Sequence, residues 1–386
     1  MMINKLLELL PKDKTCNFNY IINGILAPFK IELKNTHQEL SWHGEDDVLT
    51  HTLMVLKELV NLDDYNNLSD IEKLTVFLAA TFHDVGKIVC TKVIDGKIRS
   101  YNHGKVGARM VRNYFYKELG FGGNKELLNL REAVCLLIKY HSNPVYSAFD
   151  DDAERKILTI AANSELTPLF SIKLLSILST ADVLSRIGCE KEEQVEKINY
   201  FTLLANELGV YESYYRFSNC HTKFKFLNKE TNFYNDTIYD SSKCEVLLFA
   251  GLPGTGKDTY IKNNLSYLPV ICLDDIRDEI KVKPGEDESK VIMIAKNRAK
   301  EFLRKNISFV WNATNVSNMT RNGLISLFHD YHASVKIIYL ETSYNECLIR
   351  NKGRIKEVPL KIIEKMLNSL VIPESFEAEI VEWVVV

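Results

Sequence analysis

The spacing of apolar residues changes character partway along the chain. Up to about Ala205, apolar positions recur every three or four residues. Leu53, Leu56, Leu59 and Val60 make one stripe, and Ile172, Leu175 and Leu178 another. This is the repeat of helices that each bury one face. Strand-like alternation is nearly absent there, apart from a small hairpin expected around 88–98, turning at Asp95-Gly96. At the start, Leu6-Leu7-Glu8-Leu9-Leu10 reads as a short helix rather than a signal peptide, because Glu8 interrupts the run and no small-residue cleavage site follows. From residue 244 the rhythm alternates. Apolar strand-like runs at 245–250, 270–273, 309–313 and 335–340 are separated by helical stretches, the pattern of a parallel α/β sheet. The expectation is an all-α domain over 1–205, a linker or accessory segment over 206–243, and an α/β domain with a parallel sheet over 244–386.

A length of 386 residues suits two ordinary domains. The mix of 46% hydrophobic and 26% charged residues is that of a soluble globular protein. The apolar runs are strand-sized, far short of the roughly 20 residues a membrane helix needs, so no membrane partner is expected. Eight cysteines (Cys16, Cys90, Cys135, Cys189, Cys220, Cys244, Cys272, Cys347) are scattered with no C-x-x-C pair. Most sit among apolar neighbours, which points to reduced, buried thiols and a cytoplasmic setting. With a net charge of −3 there is no global basic field, so any site for a polyanion is local.

The stretch 211–242 differs from both halves. Tyr214, Tyr215, Phe217, Phe224, Phe226, Phe233 and Tyr234 interleave with Arg216, Lys223, Lys225 and Lys229. Two readings stand: a linker or edge hairpin packed on one domain, or a stacking and phosphate-binding surface for single-stranded nucleic acid.

In the helical half, His51, His83-Asp84, His103, His141 and Asp182 lie at the ends or starts of apolar stretches. Imidazoles and carboxylates hold divalent transition metals such as Mn²⁺, Ni²⁺ or Co²⁺ at neutral pH. The adjacent His83 and Asp84 leave a helix about 100° apart and can reach one cation from a single turn. A second ion would take His103 and His141, with Asp84 bridging, and such a pair activates water and neutralises a phosphate under attack. This ordered set resembles the HD phosphohydrolase superfamily over roughly 45–186. The resemblance implies metal ligation by these six residues and, from His83-Asp84-Val85-Gly86-Lys87, a substrate phosphate contact for Lys87. His37 and His43 fall outside the pattern and are expected at the surface.

In the second half, the apolar run 245–250 leads into Gly251-Leu252-Pro253-Gly254-Thr255-Gly256-Lys257-Asp258-Thr259. This is G-x-x-x-x-G-K between a strand and a helix, a loop whose backbone N–H groups wrap phosphates while Lys257 reaches the β/γ oxygens of ATP. Where Ser or Thr usually binds Mg²⁺, the chain has Asp258, then Thr259. Asp274, after the next strand, is placed to accept a proton from an attacking hydroxyl, and Arg277 to hold an acceptor phosphate. Arg350 and Arg354 flank a basic segment suited to a lid over the transferring phosphoryl group. Together these motifs resemble the 5′-hydroxyl polynucleotide kinases over roughly 244–386. The resemblance implies that Gly251, Gly254, Gly256, Lys257, Asp258, Thr259 and Arg350 bind Mg·ATP. It makes Asp274 the general base, Arg277 the grip on the phosphate beside the 5′-OH, and Arg354 the lid arginine. Asn312 departs from it, since related enzymes often have an acid there, and Asp258 would supply the missing metal-binding charge.

An HD phosphohydrolase ahead of such a kinase resembles the HD-Pnk-type bifunctional end-healing enzymes. That implies removal of a 2′,3′-cyclic or terminal phosphate by the first half and ATP-dependent 5′-OH phosphorylation by the second. RNA or DNA ends would be the substrate, and a separate ligase a partner. An HD nucleotidase joined to a small-molecule kinase is one rival reading; a nucleotide-sensing module whose P-loop only binds ATP is another, which Asp274, Arg277 and Arg354 argue against because mere binding would not require them.

Overall fold

A computed structural model describes residues 2–14, 17–39, 44, 47–188, 190–282, 287–354 and 356–386. It divides into two units, Met1–Leu119 with Glu126–Tyr215, and Gly120–Lys125 with Arg216–Val386.

The first unit is helical, and capping residues set where its helices begin. The expected short helix is present at Met2–Leu7. Helix α1 (Val48–Asn61) starts at Asp47, whose carboxylate accepts the Thr50 backbone N–H at 2.9 Å. Helix α2 (Asp70–Phe82) starts at Ser69, whose backbone N–H donates to Glu72 at 2.9 Å in a capping box. Every residue from Leu74 to Phe82 is buried, so the end of α2 runs through the core instead of lying on it. After a small hairpin come α3 (His103–Lys117), α4 (Lys125–Tyr140), α5 (Ile172–Ser185) and α6 (Lys191–Glu207). Helix α5, capped by Ser171, is also buried on most sides and packs on α1, α2 and α6. The hairpin pairs β1 (Lys92–Ile94) with β2 (Lys97–Arg99) antiparallel, and Asp95 and Gly96 take φ of 52° and 73° as a tight two-residue turn needs. It is shorter than the 88–98 span because Lys87–Cys90 forms a helical turn first.

The second unit is a parallel sheet with helices. Strands β3 (Cys244–Ala250), β4 (Val270–Cys272), β5 (Phe309–Asn312), β6 (Ala333–Glu341) and β7 (Ile380–Val385) lie in the order β4-β5-β3-β6-β7, all parallel. The strand leading to the glycine loop is thus central, and that loop leaves the carboxyl end of the sheet, where open α/β sheets bind ligands.

Within 211–242 no strand forms among the described residues; the expected alternative of an edge hairpin gives way to helix α7 (Cys220–Leu227). Asn219 caps it by accepting the Thr222 N–H at 2.8 Å, and Phe224 and Phe226 turn inward and are buried. Lys223 donates to Ser375 Oγ at 3.2 Å, so part of the aromatic and basic set is packing within this unit. Phe233 remains exposed.

Among the described residues the cysteines are free: Cys135, Cys244 and Cys347 are buried, whereas Cys90, Cys220 and Cys272 are only half-buried. Burial is therefore less general than their apolar neighbours imply. Cys16, Cys189 and His43 lie outside the described residues. No helix among the described residues is long and apolar enough to cross a membrane.

Candidate active sites

In the helical unit, five helices deliver six side chains to one buried place. His51 lies in the first turn of α1, His83 caps the end of α2, and Asp84 follows in the turn. His103 begins α3, His141 directly follows α4, and Asp182 sits in the last turn of α5. All but His103 are fully buried, and His103 is half-buried. The donor atoms fall into two groups, each within 4.8 Å internally: His51, His83 and Asp182 in one, and Asp84, His103 and His141 in the other. The adjacent His83 and Asp84 are thus divided between two groups instead of serving one cation alone. Asp84 nonetheless faces both, with Oδ2 3.2 Å from His83 Nε2 and 3.7 Å from His51 Nε2, and Oδ1 3.3 Å from His103 Nε2 and 3.9 Å from His141 Nε2.

The hydrogen bonds around the rings test whether these groups suit a metal. His83, His103 and His141 each place Nδ1 2.8 Å from the carbonyl three residues back, of Ala80, Ser100 and Ile138. A carbonyl only accepts, so each Nδ1 carries a proton, and in the neutral ring each Nε2 presents a lone pair inward. Two such lone pairs, on His103 and His141, face each other at 3.2 Å. That approach is repulsive unless a cation or proton lies between. Burial, reinforced by His103 and His83, pushes His141 down to about 3, and burial also lowers His103. Both rings therefore stay neutral at pH 7, the form that ligates metals. His83 Nε2 and Asp84 Oδ1 are buried yet make no hydrogen bond among the described residues. Each of the two groups fits a divalent metal ion.

Two cations of the protein hold the carboxylates. Burial would raise the Asp84 carboxyl, but the ammonium of Lys87, 2.7 Å from Oδ2, with His83 and His103, keeps it well below the usual range. Gln38 Oε1 accepts the same ammonium at 2.6 Å. Burial would likewise raise Asp182, and Arg186, 2.6 Å away, with His51 at 3.0 Å, keeps it well below that range. Arg186 also donates to Gln194 Oε1 at 2.7 Å. Gln38, Arg186 and Gln194 are absent from the sequence reading. Only Arg186 left a signal there, as a cation four residues after Asp182. His37 is exposed, as expected.

In the second unit, the glycine loop joins β3 to helix α8 (Lys257–Asn264). Gly254 has φ of 83°, and a Cβ there would lie 2.4 Å from the Cys347 carbonyl, so only glycine closes this turn without strain. Gly251 and Gly256 also have positive φ. Lys257 Nζ folds onto its own loop, donating to the Gly251 and Leu252 carbonyls at 2.9 and 2.8 Å. Burial brings it down to about 8. After β5, Thr314 accepts the Gly251 N–H at 2.9 Å, and Asn315 donates to the Phe249 carbonyl at 2.7 Å. These two residues brace the loop, a role its motif does not announce.

Asp274 lies in the first turn of α9 (Leu273–Glu279), because β4 ends at Cys272, before Leu273. Arg277 Nη1 meets its Oδ1 at 2.6 Å and Arg354 Nη2 its Oδ2 at 2.9 Å. Arg277 is also forked on Glu288, at 3.1 and 2.7 Å. Arg350, in α10 (Tyr344–Lys352), pairs with Glu346 at 2.7 Å, with Nη1 3.3 Å from where a Cβ on Gly256 would stand. Asp258 and Thr259 are exposed in the first turn of α8, and Asn312, at the end of β5, donates to Asp258 Oδ1 at 2.6 Å. The structure therefore joins Asp274, Arg277 and Arg354 in one cluster, and Asp258 with Asn312 in another.

Comparison with known proteins agrees with this division. Residues 48–187 match the family model described as an HD domain, and residues 246–373 match one described as an AAA domain. The chain thus fuses a helical HD domain to a P-loop domain with a five-stranded parallel sheet, a pairing that supports a bifunctional enzyme. It is 26% identical over 186 residues to a protein named multifunctional CCA protein from Pasteurella multocida (strain Pm70), covering 48% of this chain and 41% of that protein. It is 28% identical over 170 residues to the protein of that name from Haemophilus influenzae (strain PittGG), covering 44% and 38%. The chain spans about two fifths of the length of these curated relatives.

Proposed function

We propose that the chain heals broken nucleic-acid ends, removing a 2′,3′-cyclic or terminal phosphate at the HD site and phosphorylating a 5′-hydroxyl at the P-loop site. The observation that carries this reading is the presence, in one chain, of two complete residue sets for phosphate chemistry. One is the pair of His/Asp groups sharing Asp84; the other is Asp274 held by Arg277 and Arg354 in the domain of Lys257. A 2′,3′-cyclic phosphate requires a 2′-hydroxyl, so RNA is the substrate that fits both activities.

At the HD site, His51, His83 and Asp182 would hold one divalent transition ion, and His103 and His141 the other, with Asp84 between them. Such ions, when bound, supply electrophilic charge toward a phosphate and lower the pKa of water. The chain's own residues set the geometry. Three backbone carbonyls fix the imidazole tautomers, and Lys87 and Arg186 keep the two carboxylates ionised. Lys87 already bonds Asp84 and Gln38, so its first task is to hold Asp84, with any substrate phosphate contact added to that.

At the P-loop site, ATP with Mg²⁺ supplies the phosphoryl group. The loop N–H groups and Lys257 bind its phosphates, and Arg350 lies against the loop to join them. Asp274 takes the proton of the attacking hydroxyl. Arg277 and Arg354 occupy the two oxygens of Asp274, so they must first transfer to substrate phosphates, which uncovers Asp274 as the acceptor and donor arrive. The protein would act in the cytoplasm, with a separate ligase sealing the healed ends.

The test is direct. The full chain is incubated with ATP, Mg²⁺, Mn²⁺ and a short RNA carrying 5′-hydroxyl and 2′,3′-cyclic phosphate ends, and the products are resolved by mass spectrometry. RNA gaining a 5′-phosphate and losing its terminal phosphate is the expected outcome. Turnover of mononucleotides and nucleosides with the RNA untouched would favour a nucleotidase fused to a small-molecule kinase instead.

A further inference from the structure

Two positions of the P-loop domain depart from the pattern it resembles, and the fold brings them into contact. Asp258 stands in the loop where a neutral hydroxyl is usual, and Asn312 stands at the end of β5 where an acid is usual. Asn312 Nδ2 donates to Asp258 Oδ1 at 2.6 Å. We infer that Asn312 positions Asp258 as the carboxylate ligand of the nucleotide's Mg²⁺, the site's acid having moved from strand end to loop. The inference rests on the reading that this loop binds ATP.

The local chemistry supports an exchange of roles. An acid at 312 would set two carboxylates against each other at hydrogen-bond distance, which an amide at the same place avoids while adding a donor. Asn312 is buried, and its Nδ2 also lies 3.9 Å from Cys272 Sγ. Burial raises the Cys272 thiol to about 11, so it stays protonated and adds no charge. The amide is therefore held with its donor face toward Asp258. Asp258 Oδ2 makes no hydrogen bond among the described residues, and the side chain is exposed beside Lys257. An acid that served only the helix dipole would not need a buried amide to aim it. Left without a cation, the same carboxylate repels the β/γ-phosphates. The loop should then discriminate between Mg·nucleotide and metal-free nucleotide more sharply than one with a hydroxyl.

Calorimetric titration of the full chain with ADP, in Mg²⁺ and in EDTA, gives the two Kd values whose ratio tests this. The wild type should bind far better with Mg²⁺. Asp258→Asn should tighten metal-free binding and weaken Mg-dependent binding, reducing the ratio by about tenfold or more. Asn312→Leu should lower the ratio by about 10–100-fold, the usual effect of removing a residue that orients a metal ligand, with the metal-free Kd unchanged. Asp258→Ser with Asn312→Asp should restore the ratio that Asp258→Ser loses, which a merely structural role would not do. Wild-type ratios in Asp258→Asn or Asn312→Leu would overturn the inference, as would a ratio lost only in Thr259→Ala. A wild type that binds no nucleotide at all would instead sink the ATP-binding reading beneath it.

Discussion

Lys257 sets a proton-linked limit on the P-loop site. Its ammonium is desolvated in the nucleotide-free loop, and burial brings its pKa from the usual lysine value to about 8. The charged form is the one that binds phosphate, and it predominates below that pH. Nucleotide affinity should therefore be full near pH 7 and weaken as pH rises through about 8, with Kd climbing by up to about tenfold per unit beyond it. Titrations at pH 7 and pH 9 check this, and equal Kd values would mean that Lys257 does not bear on the phosphates. The lysine itself was legible, because G-x-x-x-x-G-K names it. Its lowered pKa was not, because burial depends on how the loop closes over Lys257, and that closure uses Cys347, Thr314 and Asn315 from distant segments. Gln38 was hidden for the same reason: its ammonium partner, Lys87, lies far along the chain and becomes unique only once the segments meet.

At the scale of elements, the HD site depends on how closely α3 approaches the turn after α2. A Cβ on Gly86 would stand 2.0 Å from the His103 carbonyl and 2.6 Å from the Gly107 nitrogen. Gly86 thus allows His103 to reach Asp84, which places this glycine of the His-Asp-x-Gly-Lys run in the architecture of the site rather than in its chemistry. Gly86→Ala should push α3 outward, destabilise the helical unit by about 1–3 kcal/mol as overpacking does, and lower bound transition metal per chain. Metal analysis after dialysis, together with a melting curve, measures both, and a variant with wild-type metal content and Tm would show that the helix moves aside freely. The strands were legible from their apolar runs to within a residue or two at their ends. The exception is β7, an edge strand only partly buried, where Glu382 breaks the apolar run. The segment 211–242 was ambiguous because interleaved aromatic and basic residues suit a nucleic-acid surface and a packed helix equally. The inward turn of Phe224 and Phe226 is decided by tertiary packing.

On the scale of the whole molecule, the two residue sets draw on separate units and share no side chain. The net charge of −3 supplies no broad basic surface, so under the proposed function end recognition would fall to local groups such as Arg277, Arg350 and Arg354. Independence of the two chemistries is therefore the account's central claim, and one paired assay on the full chain tests it most directly. RNA with a 5′-hydroxyl and a 2′,3′-cyclic phosphate is given to Asp84→Ala and to Asp274→Ala proteins whose melting curves match the wild type, and both ends are followed in the same reaction. Asp84→Ala should lose phosphate removal and keep 5′-phosphorylation, whereas Asp274→Ala should slow 5′-phosphorylation by ~10²–10⁴-fold and keep phosphate removal. A single substitution that silences both ends in a folded protein would contradict the two-site account.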